Sequence, residues 1–242
     1  MSYKPSDLQP VYDPARGWAH FVLYTEPAHG FASAGLNGMV SIEQESPYVQ
    51  EWLSRLQPCK PNTLHTTLVS SEKIPELFHA CVRDDKDSPS AVGGSGCVCH
   101  QTFIDQEFGL PVVARHYRTV GGNIETWTHL TYAPLDLRPG DDFHRLIIDQ
   151  TGPFWTRTKN GLLSLLPETR AGGYGTGYGG GGPTELARYI TRLIASDGKD
   201  TAARGGRYDT DPDPQIAQWV SSEAATRTQE LTLNDLKALQ RG

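Results

Sequence analysis

The chain has 242 residues, enough for one large domain or two small ones and for a core that needs no disulfide staples. A net charge of −6 argues against broad electrostatic binding to a nucleic-acid backbone, so no extended duplex is expected as a partner, although a local basic groove stays open. There is no apolar run of about 18 residues and no apolar signal core at the N-terminus, so the expectation is a cytoplasmic protein with no membrane partner.

In chain order, residues 1–17 are Pro-rich and polar and read as an extended arm. Trp18–Thr25 reads as a strand stopped by Glu26-Pro27, and Gly38–Glu43 as a short strand. Ser46-Pro47 looks like an N-cap followed by Pro at the first helical position, and Val49, Trp52, Leu53 and Leu56 supply the apolar stripe of a helix that Pro58 ends. Thr63–Ser70 is rich in β-branched residues and reads as a strand. A short helix is expected over Ile74–Arg83, then an acidic Ser/Gly-rich loop over Asp84–Gly96. Cys97–Ile104, Leu110–Val120 and Ile124–Tyr132 read as strands, with a turn at Gly121-Gly122-Asn123, and Phe143–Asp149 as a strand or a short helix. The chain changes character near Gly152: an apolar Gly161–Leu166, the glycine run of Gly172–Pro183, a helix over Thr184–Ala195, a polar linker, and two amphipathic segments, Gln215–Ala225 and Thr232–Gln240. The expected fold class is α+β, a mixed or antiparallel sheet with short flanking helices plus a small, mainly helical C-terminal segment. The expected division is an arm (1–17), an α+β domain (18–151) and a glycine-loop and helix domain (152–242).

The four cysteines are expected to be reduced thiols. Cys97-Val-Cys99-His100, with Cys81 and His79, invites a zinc reading, but the spacing fits no standard pattern, and Cys81 falls on the apolar stripe of the expected Ile74–Arg83 helix. No metal or other cofactor is expected.

Two His-x-Thr motifs carry the chemistry: His65 with Thr67, and His129 with Thr131. In strands, residues two apart share a face, so each motif would present an imidazole beside a hydroxyl. Brought together, one imidazole could take a proton while the other gives one, and the hydroxyls could hold a phosphate. The competing reading is chance: the motif is short, and eight histidines give it several opportunities. On the neighbouring strand, His116 and Arg118 share a face and are candidate substrate contacts, as is Tyr132, against the alternative of a solvated strand face. A glycine run opening a helix can cradle a phosphate, with Gly179 and Gly180 as the contacts and Tyr174 and Tyr178 stacking on a base. The alternative is that the glycines allow close packing and the tyrosines simply pack.

The order strand, helix, His-x-Thr, helix over residues 18–134 resembles the two-histidine phosphoesterase superfamily, and the resemblance implies an acid–base pair of His65 and His129, phosphate-holding hydroxyls on Thr67 and Thr131, and no metal. That family usually has a helix before its second motif; here a hairpin stands in its place. Residues 160–242 resemble an uncharacterised bacterial and phage family with a Gly-Tyr-Gly-Gly-Ser-Gly-Pro core, with Gly181 where that family carries Ser. The expected function is a metal-independent phosphodiesterase acting on a nucleotide or cyclic oligonucleotide. The alternative is a non-catalytic module of a mobile element that binds a nucleotide or a protein partner.

Overall fold

The computed structural model describes residues 8–13, 18–23, 38–43, 45–69, 91–92, 96–119, 125–169, 173–204 and 211–242. Leu8–Asp13 (β1) and Trp18–Leu23 (β2) pair as an antiparallel hairpin, so part of the expected arm is strand. Met39–Ile42 (β3), Gln57–Pro58 (β4), Ala91–Val92 (β5), Gly96–Asp105 (β6), Leu110–Thr119 (β7) and Glu125–Tyr132 (β8) form the first large sheet. Its order is β3-β8-β7-β6-β4, with β5 on the start of β6, and every pairing is antiparallel. Phe143–Ile148 (β9), Trp155–Thr158 (β10), Leu163–Leu165 (β11) and Gln229–Thr232 (β12) form a second antiparallel sheet in the order β11-β10-β9-β12. With the helices this is the expected α+β class. Among the described residues no helix is long and apolar enough to cross a membrane.

Local chemistry sets the helix starts. Ser46 Oγ accepts from the Val49 amide at 3.2 Å and Pro47 fills the first turn of Pro47–Ser54 (α1), as the sequence pattern anticipates. Asn62 starts Thr63–Leu68 (α2), a helix where β-branched content leads one to expect a strand. The Asn62 side-chain oxygen accepts from the Leu64 and His65 amides, and His65 Nδ1 accepts the Asn62 amide in return. That reciprocal cap, with Leu68 delivered to the core, outweighs the weak strand preference of Thr and Val. Gly181–Ala195 (α3), Pro214–Val220 (α4) and Leu233–Arg241 (α5) follow; Asp213 caps α4, and a Thr232–Asp235 capping box opens α5. The expected helix at 74–83 and turn at 121–123 lie outside the described residues.

Phe143–Ile148 resolves to strand, buried on both sides through Leu146, Ile147 and Ile148. Trp155–Thr158 and Gln229–Thr232 are strands the sequence pattern does not announce. The expected boundary at 151/152 falls between the paired strands β9 and β10, and the C-terminal β12 pairs with β9 in the same sheet.

The layers follow from alternation along each strand. One face of the first sheet (Ile42, Val112, Phe103) meets Ile147, Trp155, Leu163 and Leu165 of the second, with Val49, Trp52 and Leu56 of α1 wedged beside them. The opposite face, through Val113 and Tyr132, is covered by Leu68 and Val69 at the end of α2. The far side of the second sheet packs Phe143 and Leu146 against α3, α4 and α5. Each fully buried large side chain in these clusters stabilises the fold by about 2 kcal/mol.

Asp105, at the end of β6, fastens the central layer. Its carboxylate accepts from Trp52 Nε1 at 3.1 Å, from Arg55 Nε and Nη2 at 3.2 and 2.7 Å, and from the Glu107 amide at 3.2 Å. Arg55 Nη1 also donates to the Leu163 carbonyl in the second sheet. Asp105→Ala leaves a largely buried guanidinium uncompensated and should lower the unfolding free energy by about 3 kcal/mol. Glu51→Ala, which breaks the more exposed pair with Arg157, should cost under about 1 kcal/mol. Urea denaturation of the two variants checks the contrast; equal losses would remove Asp105 from this role.

Candidate functional site

The two His-x-Thr motifs are not brought together. On β8, His129 and Thr131 share the face that meets the second sheet. The His129 ring stands edge-on to Trp52 of α1, centroids 6.4 Å apart, and the buried Thr131 hydroxyl donates to the Pro111 carbonyl at 2.8 Å. Tyr132 points the other way, and its Oη lies 2.7 Å from Thr67 Oγ1 on α2. His65 and Thr67 therefore belong to one side of the sheet, and His129 and Thr131 to the other. His65 is 0 % exposed: its Nε2–H donates to the Phe103 carbonyl at 2.8 Å, and Nδ1 is used in the helix cap. Burial lowers the pKa of both imidazoles, outweighing the Phe103 hydrogen bond in the case of His65. Both rings are built for neutral, structural use.

Cys59 is a neighbour the sequence does not reveal, with Sγ 3.6 Å from His65 Nε2. The pair is not an activated thiol, because burial raises the Cys59 pKa and the His65 proton is directed at Phe103. His116 is buried and stacked on its cross-strand partner Trp127, centroids 4.2 Å apart; the side chain of Arg118 lies outside the described residues. Among the described residues no three His, Cys, Asp or Glu side chains converge as a metal site, and the Cys97 and Cys99 side chains are not among those described.

In the glycine loop the cradle is filled from within. Tyr178 is 52 % exposed on its outer side, yet its ring lies on the loop's own backbone. A Cβ placed on Gly175 or Gly182 would come within 2.6 or 2.8 Å of the Tyr178 hydroxyl, and one on Gly180 within 2.8 Å of the ring. The space in which converging amides would hold an anion is taken by that phenol. Gly177 has φ +81, and a Cβ there would run into Thr226 Cγ2. Gly179 has open space around it. Gly175, Gly177, Gly180 and Gly182 are thus closely packed, and Gly179 and Gly181 are not.

Tyr174 alone of the sequence-named candidates lines a cavity between the two sheets. That cavity, about 530 Å³, lies between the edge strand β3 of the first sheet (Met39–Ile42, continuing to Glu43) and the β9–β10 turn and β11 end of the second. Thr151, Gly152, Pro153, Phe154, Leu165 and Leu166 form the far wall, and Glu168, Gly173 and Tyr174 close one end. The Tyr174 ring packs edge-on to Phe154 and Tyr189, its hydroxyl donates to the Pro167 carbonyl at 2.7 Å, and burial holds the phenol well above its ordinary pKa. Glu168 Oε1 accepts from the Gly173 amide at 2.6 Å. Burial raises its carboxyl pKa to about 7, against a smaller opposing effect of that amide. A second, more open groove of about 780 Å³ runs past Trp219, Leu231 and Leu239, between β12, α4 and α5. Sequence reasoning passes over Glu168, Phe154 and Glu43, since no motif joins them and their convergence depends on how the two sheets pack.

Two predictions separate architecture from site. Gly177→Ala should destabilise by about 2 kcal/mol or more, from a left-handed backbone and a blocked Cβ, while Gly179→Ala should stay within about 0.5 kcal/mol. Matching denaturation midpoints for the pair would contradict this. Glu168→Gln mimics the protonated acid. The folded pKa lies above the unfolded one, so the wild-type carboxyl carries no penalty below about pH 4.5 and its full penalty above about 7. The variant should therefore match wild type near pH 4 and exceed it by on the order of 2–3 kcal/mol at pH 8, as read by urea unfolding at each pH.

Comparison with known proteins finds no match for this chain among protein-family models, curated proteins or solved structures.

Proposed function

We propose that this protein is a small-molecule-binding module whose site is the cavity between the two sheets. The observation that carries the reading is the combination at that place: a cavity of about 530 Å³ with mainly apolar walls, and a carboxyl group at one end that burial has pushed to about pH 7. Cavities of several hundred cubic ångströms with apolar walls and a few convergent polar groups are where proteins take small ligands, and a strongly perturbed titratable group in such a place is a functional signal.

Of the two functions drawn from sequence, this favours binding over phosphodiester cleavage by His65 and His129. An acid and a base must reach one phosphorus centre within hydrogen-bond range or through one water; these imidazoles lie on opposite faces of a sheet, and His65 is sealed. The binding reading also departs from nucleotide capture at the glycine loop, where Tyr178 occupies the cradle.

The test is a titration of the whole chain with indole and with cyclohexylmethanol, followed by amide ¹H–¹⁵N spectra. Perturbations should centre on Ile42, Gly152, Phe154 and Gly173. They should disappear in Ser41→Trp, which places a large side chain at an exposed lining position with little cost to folding. Perturbations confined to the Trp219–Leu239 groove, or unaffected by Ser41→Trp, would overturn the reading.

A further inference from the structure

We infer that the ligand of this cavity is a small amine, bound as its ammonium form, with the charged head against Glu168 and an apolar body along Ile42, Phe154, Leu165 and Leu166. The inference rests on the proposed function and names the chemical class that the site selects.

Three features of the lining support it. The first is charge. Among the described residues that line the cavity, the side chains with formal charge are the carboxylates Glu43 and Glu168, and none is a lysine, arginine or histidine. A phosphate, a carboxylate or a nucleotide would meet like charge from these described residues, whereas a cation would meet a carboxylate acceptor. The second is geometry. Glu168 Oε1 is held by the Gly173 amide, and Oε2 makes no hydrogen bond with any described residue. One oxygen thus fixes the carboxyl in place while the other remains for a donor. An ammonium supplies up to three donors and converts that contact into a charge-assisted hydrogen bond, stronger than the one a neutral hydroxyl would give. The third is the neighbouring rings. Phe154 and Tyr174 stand edge-to-face, 6.0 Å apart, beside the carboxyl, and aromatic faces attract cations in desolvated sites.

The state of Glu168 then makes capture depend on pH. The described group that couples to it is the Tyr174 phenol, whose proton Glu168 helps to retain; Glu43 is the other carboxylate among the described lining residues. None of the described lining residues is a cation that competes for it. Without ligand the carboxyl is about half charged near pH 7. An aliphatic amine stays protonated through this range, so it pairs only with the carboxylate, and binding releases a proton from that fraction of the protein still carrying one. The affinity should rise by about tenfold between pH 6 and pH 8 and level off above that. A neutral ligand that donates or accepts one hydrogen bond has no reason to follow that curve.

The experiment compares matched probes on the whole chain by calorimetry and amide-shift titration: cyclohexylmethylamine, cyclohexylmethanol and cyclohexanecarboxylate, at pH 6, 7 and 8, with wild type and Glu168→Gln. The expected result is a preference for the amine over the alcohol of about tenfold or more at pH 8. The preference should shrink as pH falls, be lost in Glu168→Gln, and be accompanied by exclusion of the carboxylate. An alcohol that binds as tightly as the amine at pH 8, or an amine preference that survives in Glu168→Gln, overturns the amine assignment and leaves the cavity as a binding site. Failure of all three probes to perturb the cavity amides overturns the binding reading itself, and the amine assignment with it.

Discussion

The ion pair of Asp105 with Arg55 is the fastening on which the arrangement of layers depends. A carboxylate at the end of β6 receives the Trp52 indole and the Arg55 guanidinium from α1, and the same guanidinium reaches on to the Leu163 carbonyl in the second sheet. Three elements far apart in sequence are thereby held at one point. The pair tolerates burial because both carboxylate oxygens and all three guanidinium nitrogens are hydrogen-bonded, the condition under which a buried charge is stable. The His65 ring follows the same rule with a neutral group: one nitrogen serves the helix cap and the other a strand carbonyl. Glu168 is the exception, with one oxygen engaged and burial working against its charge.

The sequence was legible where local chemistry and packing agree. Ser46-Pro47 marks a helix start, and a helix begins there; Leu110–Thr119 and Glu125–Tyr132 are dense in β-branched and aromatic residues, and they are strands. It misled where the two disagree. The Thr-Leu-His-Thr-Thr-Leu stretch is β-branched in composition, but Asn62 ahead of it is a helix cap, and the cap prevails because it satisfies three backbone or side-chain polar groups at once. The signal was present in Asn62 and was outvoted by composition. Trp155–Thr158 and Gln229–Thr232 were illegible for another reason: both are four-residue strands whose stability comes from their pairing with β9, and a four-residue window does not record its partner, which for β12 lies far back in the chain.

The candidate site shows the same limit more sharply. His-x-Thr is visible in sequence because its residues are neighbours, and visibility made it persuasive. Alternation along β8 then sends His129 and Tyr132 to opposite faces, and the helix bearing His65 covers the face of Tyr132. The cavity, by contrast, is assembled from β3 and, far later in sequence, the β9–β10 turn and the stretch after β11. Its one charged group at depth, Glu168, sits after a Leu-Leu-Pro run that reads simply as the end of an apolar strand. Only the packing of two sheets makes that residue chemically unusual.

The titrating groups also pull in opposite directions, which bears on how a site of this kind can exist. Burial depresses the pKa of His65 and His129, so their contribution to stability is whole above about pH 6.5 and declines in acid. Burial lifts Glu168, so its penalty is absent in acid and complete above about pH 7. Near neutrality the core histidines are uncharged and harmless while the carboxyl stands half ionised, with no cation among the described residues that line the cavity. A glutamine would fill the same space and keep the Gly173 contact without that penalty. A fold that carries the charged version gives up stability at one point, and the point lies on the wall of the cavity between the two sheets. Exchanges of that kind belong to functional positions, where a group held short of its preferred partner is ready for one that arrives from outside.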